Sequence, residues 1–334
     1  MGVTIQDVAK EAGVGVGTVS RVLNDSPLVS AETRERVEEV IDRLDYRPSA
    51  VARALSLGQS NDIAVVAPFI TTPSVVQRLR GVSEVIHRAE RELVLHDVET
   101  PEQRDDRLER IVSIHRAAGV LVFSLAPDPK TMERLRAAKV PVVFCDRRVE
   151  GSSNVWIDDV AAGRDAAQHL IDLGHTRIGF VGDRFHGAFG LTASTDRAEG
   201  YRLAMEQAGL EAPPEYLAIG DPGREAAHRL TDQLLGLDPP PTAIIAAYDL
   251  LALGVIEAAG AAGRVVPADL SVVGFDDIEV AGYVGLTTVR QPLRESGEIA
   301  ARLLVETLDG GRTEPESVHL DTEIVIRSTS VPPK

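Results

Sequence analysis

The chain has 334 residues, of which 44% are hydrophobic, so it is long enough for two or three domains with buried cores. Its 35 basic and 51 acidic residues give a net charge of −16, which does not favour a general attraction to nucleic acid. A single cysteine, Cys145, excludes an internal disulfide and a cysteine-based zinc finger. No apolar run reaches membrane-spanning length and the first residues lack the order of a signal peptide, so we expect a cytoplasmic location and no membrane partner.

Residues 1–24 read as two short helices that are joined at Gly13. Thr4 and Asp7 have the spacing of a capping box at the start of the first helix, and apolar residues follow at helical spacing. The second helix has an apolar stripe of its own and leaves another face free to enter a DNA groove. That face consists of Val16, Gly17, Thr18, Ser20 and Arg21. The pattern therefore predicts a helix-turn-helix that reads DNA.

Two other interpretations of this segment have to be weighed. Any small helical hairpin has apolar stripes and a glycine turn, whether or not it binds DNA. The spacing of Gly13, Gly15 and Gly17 is similar to that of a dinucleotide-binding loop, but such a loop follows a strand and here a polar helix precedes it. Residues 1–60 carry 7 basic against 9 acidic residues, so we expect weak non-specific DNA affinity, with phosphates held by a few cations on one face.

A third helix is predicted to begin after Ser30, a favourable N-cap, and its apolar residues complete a three-helix core. Its acidic side chains are expected to face away from the DNA duplex, namely Glu32, Glu35, Glu38, Glu39 and Asp42. Pro48 ends the third helix, because it restricts the preceding Arg47 to extended conformations. Residues 49–57 are predicted to form a further helix that is too short to be stable alone in water. We expect that helix to form only when it packs on its copy in a homodimer bound to DNA.

From Asn61 onward, strands alternate with amphipathic helices, which predicts parallel sheets covered by helices on both faces. Nine strands are expected in this part, at 62–68, 93–98, 119–123, 140–144, 154–157, 177–182, 216–219, 242–246 and 270–274. A helix near 293–308 and strands near 317–327 return to complete two subdomains. The predicted fold is an N-terminal all-α helix-turn-helix head followed by an α/β core of two Rossmann-like subdomains.

Sheets of this kind bind ligands outside the carboxyl ends of their strands, and five residues are candidates there. They are Phe69, Asp146, Arg197, Tyr248 and Asp276. Four lie just past predicted strands, and the fifth, Arg197, lies at the start of the helix that follows the strand at 177–182. Carboxylates that accept and a guanidinium that donates suit a polyhydroxylated ligand, because each group can bridge adjacent hydroxyls. The alternative is that these charges are solvated loop residues or form a salt bridge between two lobes.

The motifs VTIQDVAKEAGVGVGTVSRVLN, VSAETRERVEEVIDRLDYRP and AVARAL resemble the head and hinge of the lactose-repressor (LacI/GalR) family of bacterial transcription regulators. Further along, GHTRIGFVG, DRAEGY, LSVVGFDD and LTTVRQP resemble that family's effector-binding core, which is similar to type I periplasmic sugar-binding proteins. The resemblance covers nearly the entire chain. We place the head at 1–47, the hinge at 48–60 and an effector-binding and dimerisation core at 61–330. Within the core, the first subdomain takes about 61–158 plus 291–315, and the second about 159–290 plus 316–330.

The resemblance implies DNA contacts for individual residues. Arg21 and the residues at positions 16 and 17 read bases in the major groove, and Leu55 is a wedge in the minor groove. Ala52 is expected to be a further DNA-binding residue. Phosphate contacts are implied for Thr4, Ser20, Asn24, Thr33 and Tyr46. Gly15 stands where the family usually has Ser, and glycine is a weaker but adequate cap. Because Gly17 has no side chain, Val16 and Arg21 have to carry more of the base reading.

The family's effector positions coincide with Asp146, Arg197, Tyr248 and Asp276. Two aromatic residues that often stack on the family's ligands are replaced, one by Ser74 and Val75 and the other by Pro222. The long loop 183–196 supplies Phe185, His186 and Phe189 as substitutes. A purine needs a flat stacking partner, so we expect a sugar or sugar derivative instead. Trp156 lies near a crossover between the lobes, and we expect it to serve packing.

Enzymatic chemistry has little support in the sequence. His175 lacks a Ser or Cys partner motif, and the adjacent Asp276 and Asp277 should point in opposite directions on extended backbone. No cluster has metal-ligand spacing, and we expect neither a metal nor a cofactor. No leucine heptads follow residue 327, so we expect a dimer rather than a tetramer.

These features together predict a repressor of carbohydrate-utilisation genes that is controlled by a small sugar-like effector. Its partner is pseudo-palindromic double-stranded operator DNA, which it binds as a homodimer. One alternative is a regulator with a nucleoside or another non-sugar effector. The other is a solute-binding protein without a DNA role, which would have an export signal and no helix-turn-helix.

Overall fold

The computed structural model describes residues 3–23, 26–46, 60–113, 117–184 and 189–334. The chain forms two compact units, residues 1–61 and 62–334. The predicted short helix at 49–57 lies outside the described residues, and so do Asn24, Ala52, Leu55, Phe185 and His186. Within the described residues, no helix combines the length and the apolar composition needed to cross a membrane.

The described residues of the first unit form three helices. They are α1 (Ile5–Ala12), α2 (Val16–Leu23) and α3 (Ala31–Arg43). The predicted capping box is present at Thr4 and Asp7, and Gly13 ends α1 in the left-handed conformation with φ 67°. Ser30 caps α3 by accepting a hydrogen bond from the backbone N–H of Thr33. The apolar stripes of the three helices meet in one small core, as the sequence predicts.

The second unit consists of two α/β lobes. Its strands are β1 (Asp62–Pro68), β2 (Glu92–Val98), β3 (Gly119–Phe123), β4 (Val142–Cys145), β5 (Ser153–Trp156), β6 (Ile178–Asp183), β7 (Leu217–Gly220), β8 (Ala243–Ala246), β9 (Ser271–Asp276), β10 (Thr287–Arg290), β11 (Ser317–His319) and β12 (Glu323–Val325). Its helices are α4 (Pro73–Arg88), α5 (Pro101–Ser113), α6 (Pro129–Ala137), α7 (Asp159–Asp172), α8 (Ala193–Gln207), α9 (Arg224–Leu235), α10 (Asp249–Ala261), α11 (Glu279–Tyr283) and α12 (Leu293–Leu308), with a short 3-10 turn at Pro214–Tyr216.

Each lobe is built on a six-stranded sheet. The first sheet has the order β11-β5-β4-β3-β1-β2 and is parallel throughout. The second has the order β12-β10-β9-β8-β6-β7, and only β12 runs antiparallel to its neighbour. The chain passes between the lobes after β5, after β10 and after β11. The carboxyl ends of the central strands therefore carry the side chains nearest to the boundary between the lobes.

All nine strands expected before residue 275 are present, within two residues of the predicted bounds. The prediction missed β10, whose segment had been recognised only as a family motif. It also assigned residue 316 onward to the second subdomain, and that boundary is wrong by one strand. Ser317–His319 pairs in parallel with the edge strand β5 of the first sheet, and Leu320 donates its backbone N–H to the Trp156 carbonyl. The open edge of β5 thus holds the chain in the first lobe until residue 320.

Candidate DNA interface and interlobe cleft

The second helix of the head, α2, presents the face that the sequence predicts for DNA. Val16 is 42% exposed, Gly17 and Arg21 are exposed, and Thr18 and Ser20 are half-buried. The opposite face is buried in the three-helix core. A Cβ atom on Gly17 would meet no atom within 4 Å, so this position leaves open space on the helix surface. The exposed face therefore offers a guanidinium beside a small apolar surface.

Arg34 of α3 supports this helix, and the sequence analysis did not single it out. Its guanidinium donates to the carbonyl oxygens of Val22 (3.4 Å) and Ser26 (2.8 Å), at and just beyond the end of α2. Carbonyls at a helix end lack intrahelical donors, so an arginine there satisfies them and fixes the helix. Arg34 had no distinct signal in the sequence, because α3 also contains Arg36 and Arg43.

The residues predicted to contact phosphates differ in hydrogen bonding and burial in the described part of the head. The Thr4 hydroxyl donates to Asp7 Oδ2 (2.7 Å), and hydrogen bonding by Thr4 lowers the pKa of that carboxyl. The Thr33 hydroxyl accepts a hydrogen bond from Ser30 (2.9 Å). Tyr46 is only 7% exposed because its ring packs in the three-helix core. A phosphate contact by Tyr46 is thus limited to its hydroxyl group.

In the second unit, several residues at the carboxyl ends of strands have left-handed backbone. The φ angles are 48° at Phe69, 55° at Ser124, 64° at Asp146 and 110° at Asp276, which end or follow β1, β3, β4 and β9. This conformation is uncommon for residues other than glycine and persists only where surrounding structure enforces it. Strain of this kind often marks a functional site, and here it follows one edge of each sheet.

Asp146 forms a buried ion pair at this edge of the first lobe. Its Oδ1 lies 2.6 Å from Arg78 Nη2, and the two side chains are 13% and 4% exposed. Its Oδ2 accepts a hydrogen bond from the Ser124 hydroxyl at 2.7 Å. Asp146 is therefore bound on both oxygens within its own lobe.

Arg78 continues this contact towards the second lobe through Gln291, which lies between β10 and α12. Arg78 Nη2 donates to Gln291 Oε1 (2.9 Å), and Gln291 Nε2 donates to Asp276 Oδ1 (2.5 Å). Burial disfavours the charged guanidinium, but Asp146 together with the other nearby acidic groups, including Asp276 and Asp159, outweighs it and raises the pKa of Arg78. Burial raises the pKa of Asp276, against the lowering effects of Arg197 and Arg78. A continuous polar chain thus joins the carboxyl edges of the two sheets.

Arg197 lies on the second-lobe side of the same cleft. Its Nε donates to Asp159 Oδ1 (2.9 Å), its Nη1 donates to the Ala247 carbonyl (2.6 Å), and the guanidinium stacks 3.4 Å from the Phe275 ring centre. Nη1 is also 4.0 Å from Asp276 Oδ1. Burial raises the pKa of Asp159 to about 6, although Arg197 opposes this shift.

Two glycines set the position of Arg197 and Asp159. The helices α7 and α8 cross so closely that a Cβ on Gly163 would lie 2.2 Å from the Arg197 carbonyl oxygen. A Cβ on Gly200 would lie 2.0 Å from the Val160 carbonyl oxygen. Only glycine permits this approach, so the crossing brings the two charged side chains together.

Tyr248 and Phe69 occupy opposite lobes of the cleft. The Tyr248 hydroxyl bonds to Asp183, and burial raises the pKa of both groups. Phe69 meets the edge of Phe189 with the ring centres 6.0 Å apart. Phe189 is 3% exposed and packs in the core of the first lobe, so it does not present a free face for stacking. The predicted substitute for the missing stacking aromatics is therefore not provided by Phe189.

The end of the loop 183–196 also fastens the second lobe to the first. Arg147 donates to the Thr192 hydroxyl (2.7 Å), and the buried Arg104 donates to the Phe189 carbonyl (3.1 Å). Trp156 packs near the crossover after β5, where its Nε1 donates to Ser317 and its ring lies 4.6 Å from that of His319. The two arginine contacts hold the loop end against the first lobe, and the Trp156 contacts hold β11 on the first sheet.

The structure thus brings Asp146, Arg197 and Asp276 into one network, which contains three residues that sequence reasoning missed, Arg78, Gln291 and Asp159. Arg78 had a recognisable signal, because it interrupts the apolar stripe between Val75 and Val82 on α4. Two cavities lie elsewhere in the first lobe, and the larger, of about 310 Å³, lies between α5 and α6. They share no lining residue with this network.

The chemistry of catalysis is not assembled around the candidate residues. His175 bonds to the Thr242 hydroxyl (2.8 Å) and the Val331 carbonyl (2.9 Å), so it secures the C-terminal segment. Burial raises the pKa of Cys145 to about 11, which keeps it a thiol. Among the residues that the structure describes, no three His, Cys, Asp or Glu side chains are grouped to hold a metal.

Comparison with known proteins identifies the two units. The family described as bacterial regulatory proteins, lacI family, matches residues 4–49, and a periplasmic binding protein-like domain matches residues 167–330. The ribose operon repressor of Escherichia coli (strain K12) is 34% identical over 332 residues, covering 98% of this chain and 99% of that protein.

Two solved structures extend the similarity to the whole fold. One is a transcriptional regulator CelR–cellobiose complex, 32% identical, with a TM-score of 0.73 over 98% of this chain and all of that one. The other is the lac repressor dimer bound to operator and the anti-inducer ONPF, 28% identical, with a TM-score of 0.82 over 99% of this chain and all of that one. With head and core both matched along nearly their full length, the chain belongs to the lacI family of bacterial regulatory proteins and is a DNA-binding transcriptional regulator rather than an enzyme.

Proposed function

We propose that this regulator represses carbohydrate-utilisation genes and is controlled by a small sugar-like effector that binds between the two lobes. It binds pseudo-palindromic operator DNA as a homodimer and acts in the cytoplasm, where its DNA target lies. The similar proteins support this assignment. One relative is a ribose operon repressor, and the two solved structures are a regulator complex with cellobiose and a repressor dimer bound to its operator.

The polar chain from Asp146 through Arg78 and Gln291 to Asp276 is the observation that carries the proposal. A ligand changes DNA affinity only if it binds one arrangement of the lobes more tightly than another. Hydroxyl groups that enter this chain interact with both lobes at once, because its two ends belong to different sheets. A sugar bound there therefore senses how the lobes are arranged.

We assign the effector contacts to the strand-end residues. Asp146 and Asp276 accept from sugar hydroxyls through lone pairs that their present partners leave, and Arg197 donates to a ligand oxygen. Phe69 and Tyr248 bound the cleft on the first and second lobes. This assignment keeps all five residues predicted from the sequence.

For DNA, we assign base reading to Arg21, with Val16 and Gly17 forming the apolar part of the reading surface and Thr18 beside them. An arginine matches the two acceptors of a guanine edge in the major groove. Phosphate contacts are assigned to Thr4, Ser20, Asn24, Thr33 and Tyr46. Minor-groove contacts are assigned to Ala52 and Leu55.

Exposed apolar side chains support the homodimer. Tyr283 is 78% exposed, and Val284 and Leu250 are also exposed in the second lobe, as are Val94 and Leu95 on the edge strand β2 of the first. Exposed apolar side chains mark a surface that another protein covers when they form one continuous patch, and we propose that these residues contribute to such a patch in the dimer. A charged residue at Tyr283 should then shift the protein from dimer to monomer in analytical ultracentrifugation.

One experiment tests the central proposal. Genomic fragments that bind the full-length protein are selected and sequenced, and the selection is repeated with each member of a sugar panel. We expect the recovered fragments to share a two-fold symmetric site next to carbohydrate genes, and one sugar to change their recovery. Recovery of unrelated fragments, or a response to nucleosides and not to sugars, would contradict the proposal.

A further inference from the structure

The charges in the interlobe cleft are unequal in number. Three carboxylates lie among two buried guanidiniums, those of Arg78 and Arg197. The carboxylate of Asp276 is buried, and the side chains of Asp146 and Asp159 are 13% and 16% exposed. Arg78 pairs with Asp146 at 2.6 Å, and Arg197 pairs with Asp159 at 2.9 Å. Asp276 Oδ1 lies 4.0 Å from Arg197 Nη1, so this third carboxylate has the weakest charge compensation of the three.

Neither guanidinium is free to receive an acidic group. One nitrogen of Arg78 already serves both Asp146 and Gln291, and Arg197 is held by Asp159, by the Ala247 carbonyl and by stacking on a ring. The Nε of Arg78 is different, because it is buried and has no hydrogen-bond partner among the described residues. A buried donor without a partner is uncommon in a folded protein and requires an explanation.

We infer that the cleft selects an uncharged sugar and rejects its phosphorylated and acidic derivatives, with Arg78 Nε donating to one oxygen of the sugar. This inference rests on the proposed function of the cleft as an effector site. It adds Arg78 to the binding residues and narrows the class of effector.

The physical reason lies in the surplus of negative charge. A phosphate or carboxylate that enters the cleft meets three carboxylates in a poorly hydrated setting, and each of the two buried guanidiniums is already neutralised by an ion pair with which the new anion has to compete. An uncharged hydroxyl or ring oxygen is not repelled by the carboxylates and does not compete for the ion pairs. It can accept from the single N–H of Arg78 Nε while its own hydroxyl hydrogens are accepted by Asp276 or Asp146.

The test compares matched pairs of sugars on the full-length protein by titration calorimetry. The pairs are ribose with ribose 5-phosphate, glucose with glucose 6-phosphate, glucose with glucuronate, and cellobiose with cellobionate. For any pair that binds, we expect the neutral member to bind at least about tenfold more tightly, the ratio that a difference of 1.4 kcal/mol produces. Tighter binding of the acidic member overturns the inference while leaving the sugar effector in place. Absence of binding by every sugar overturns the proposed effector class, and the inference with it.

Asp146→Asn supplies the second arm, because it frees Arg78 from its counter-charge. In this variant, the ratio of the Kd of the acidic sugar to the Kd of its neutral partner should fall by about tenfold or more. Asp159→Asn frees Arg197 in the same way and replaces the first variant if that one unfolds, as judged by circular dichroism. Asp309→Asn is the matched control, since it removes an exposed carboxylate that pairs with Arg91 at 2.9 Å. If Asp146→Asn and Asp159→Asn both fold and both keep the Kd ratio of the parent protein, the inference is overturned.

Discussion

Replacing Gln291 with leucine should destabilise the two-lobed core, because Gln291 links Asp276 to Arg78. The substitution removes two hydrogen bonds, each to a charged group, and such bonds contribute about 1.5 to 3 kcal/mol apiece. Leucine fills most of the vacated volume and recovers part of this loss. We therefore expect the free energy of unfolding to fall by roughly 2 to 4 kcal/mol. For a core of this size, each kilocalorie lowers Tm by about 2 to 4 °C.

Urea unfolding that is followed by the fluorescence of Trp156, the only tryptophan in the chain, measures this change. Trp156 lies at the crossover after β5, so its signal reports on the boundary between the lobes. Gln168→Leu is the matched control, because Gln168 is exposed and bonds only to Asp172 of its own helix at 2.7 Å. The control should stay within about 0.5 kcal/mol of the parent. Equal unfolding midpoints and slopes for the two variants would refute the role given to Gln291.

Three further predictions concern DNA reading, the effector response and pH. Arg21→Ala should cost roughly 1 to 3 kcal/mol at the operator and relax base preference at one position in each half-site, and an equal loss on random DNA in a binding titration would make Arg21 a phosphate contact instead. Asp276→Asn and Arg197→Ala should need far more sugar for the same change in operator binding, by roughly 2 kcal/mol or more, whereas unchanged sugar titrations in both would place the site elsewhere. Burial raises the pKa of Asp249 to about 7, so the folded state holds a proton that the unfolded state releases above pH 4. Stability should therefore fall as pH rises from 4 to 7, by up to about 4 kcal/mol from this group, and Asp249→Asn should remove that part of the fall in unfolding titrations. The same decline in parent and variant would contradict the assignment.

Much of the fold follows from local patterns in the sequence. The capping box at Thr4 and Asp7, the glycine at position 13 and the apolar stripes are short-range features, and each is present in the structure. The strands of the core were predictable because buried parallel strands are short apolar runs between amphipathic helices. β10 was missed because two of its four residues are threonines, whose burial depends on neighbouring strands and not on local pattern. The error at Ser317–His319 has a similar cause, since nothing local states which sheet edge is open.

The candidate site was predictable only in part. Asp146 and Asp276 were found because they lie at the ends of predicted strands, and Arg197 was found at the start of the helix that follows a predicted strand. Their partners are not local, because Arg78 and Gln291 are 213 residues apart in the chain and still form a hydrogen bond. Pairing between such distant residues depends on how the two lobes are arranged relative to each other. That arrangement cannot be inferred from the local patterns of a single sequence.

The hydrogen-bond partners of the candidate effector residues also link the two lobes. The carboxylates proposed to bind the sugar already take part in the polar chain that joins the lobes, so ligand affinity and lobe arrangement depend on the same contacts. If only one arrangement binds the sugar, the apparent affinity equals the intrinsic affinity multiplied by the fraction of molecules in that arrangement. Gln291→Leu weakens the link between the lobes without removing a proposed sugar contact. It should therefore change the sugar concentration needed for a response by altering that fraction alone, whereas Asp276→Asn alters the fraction and the contact together.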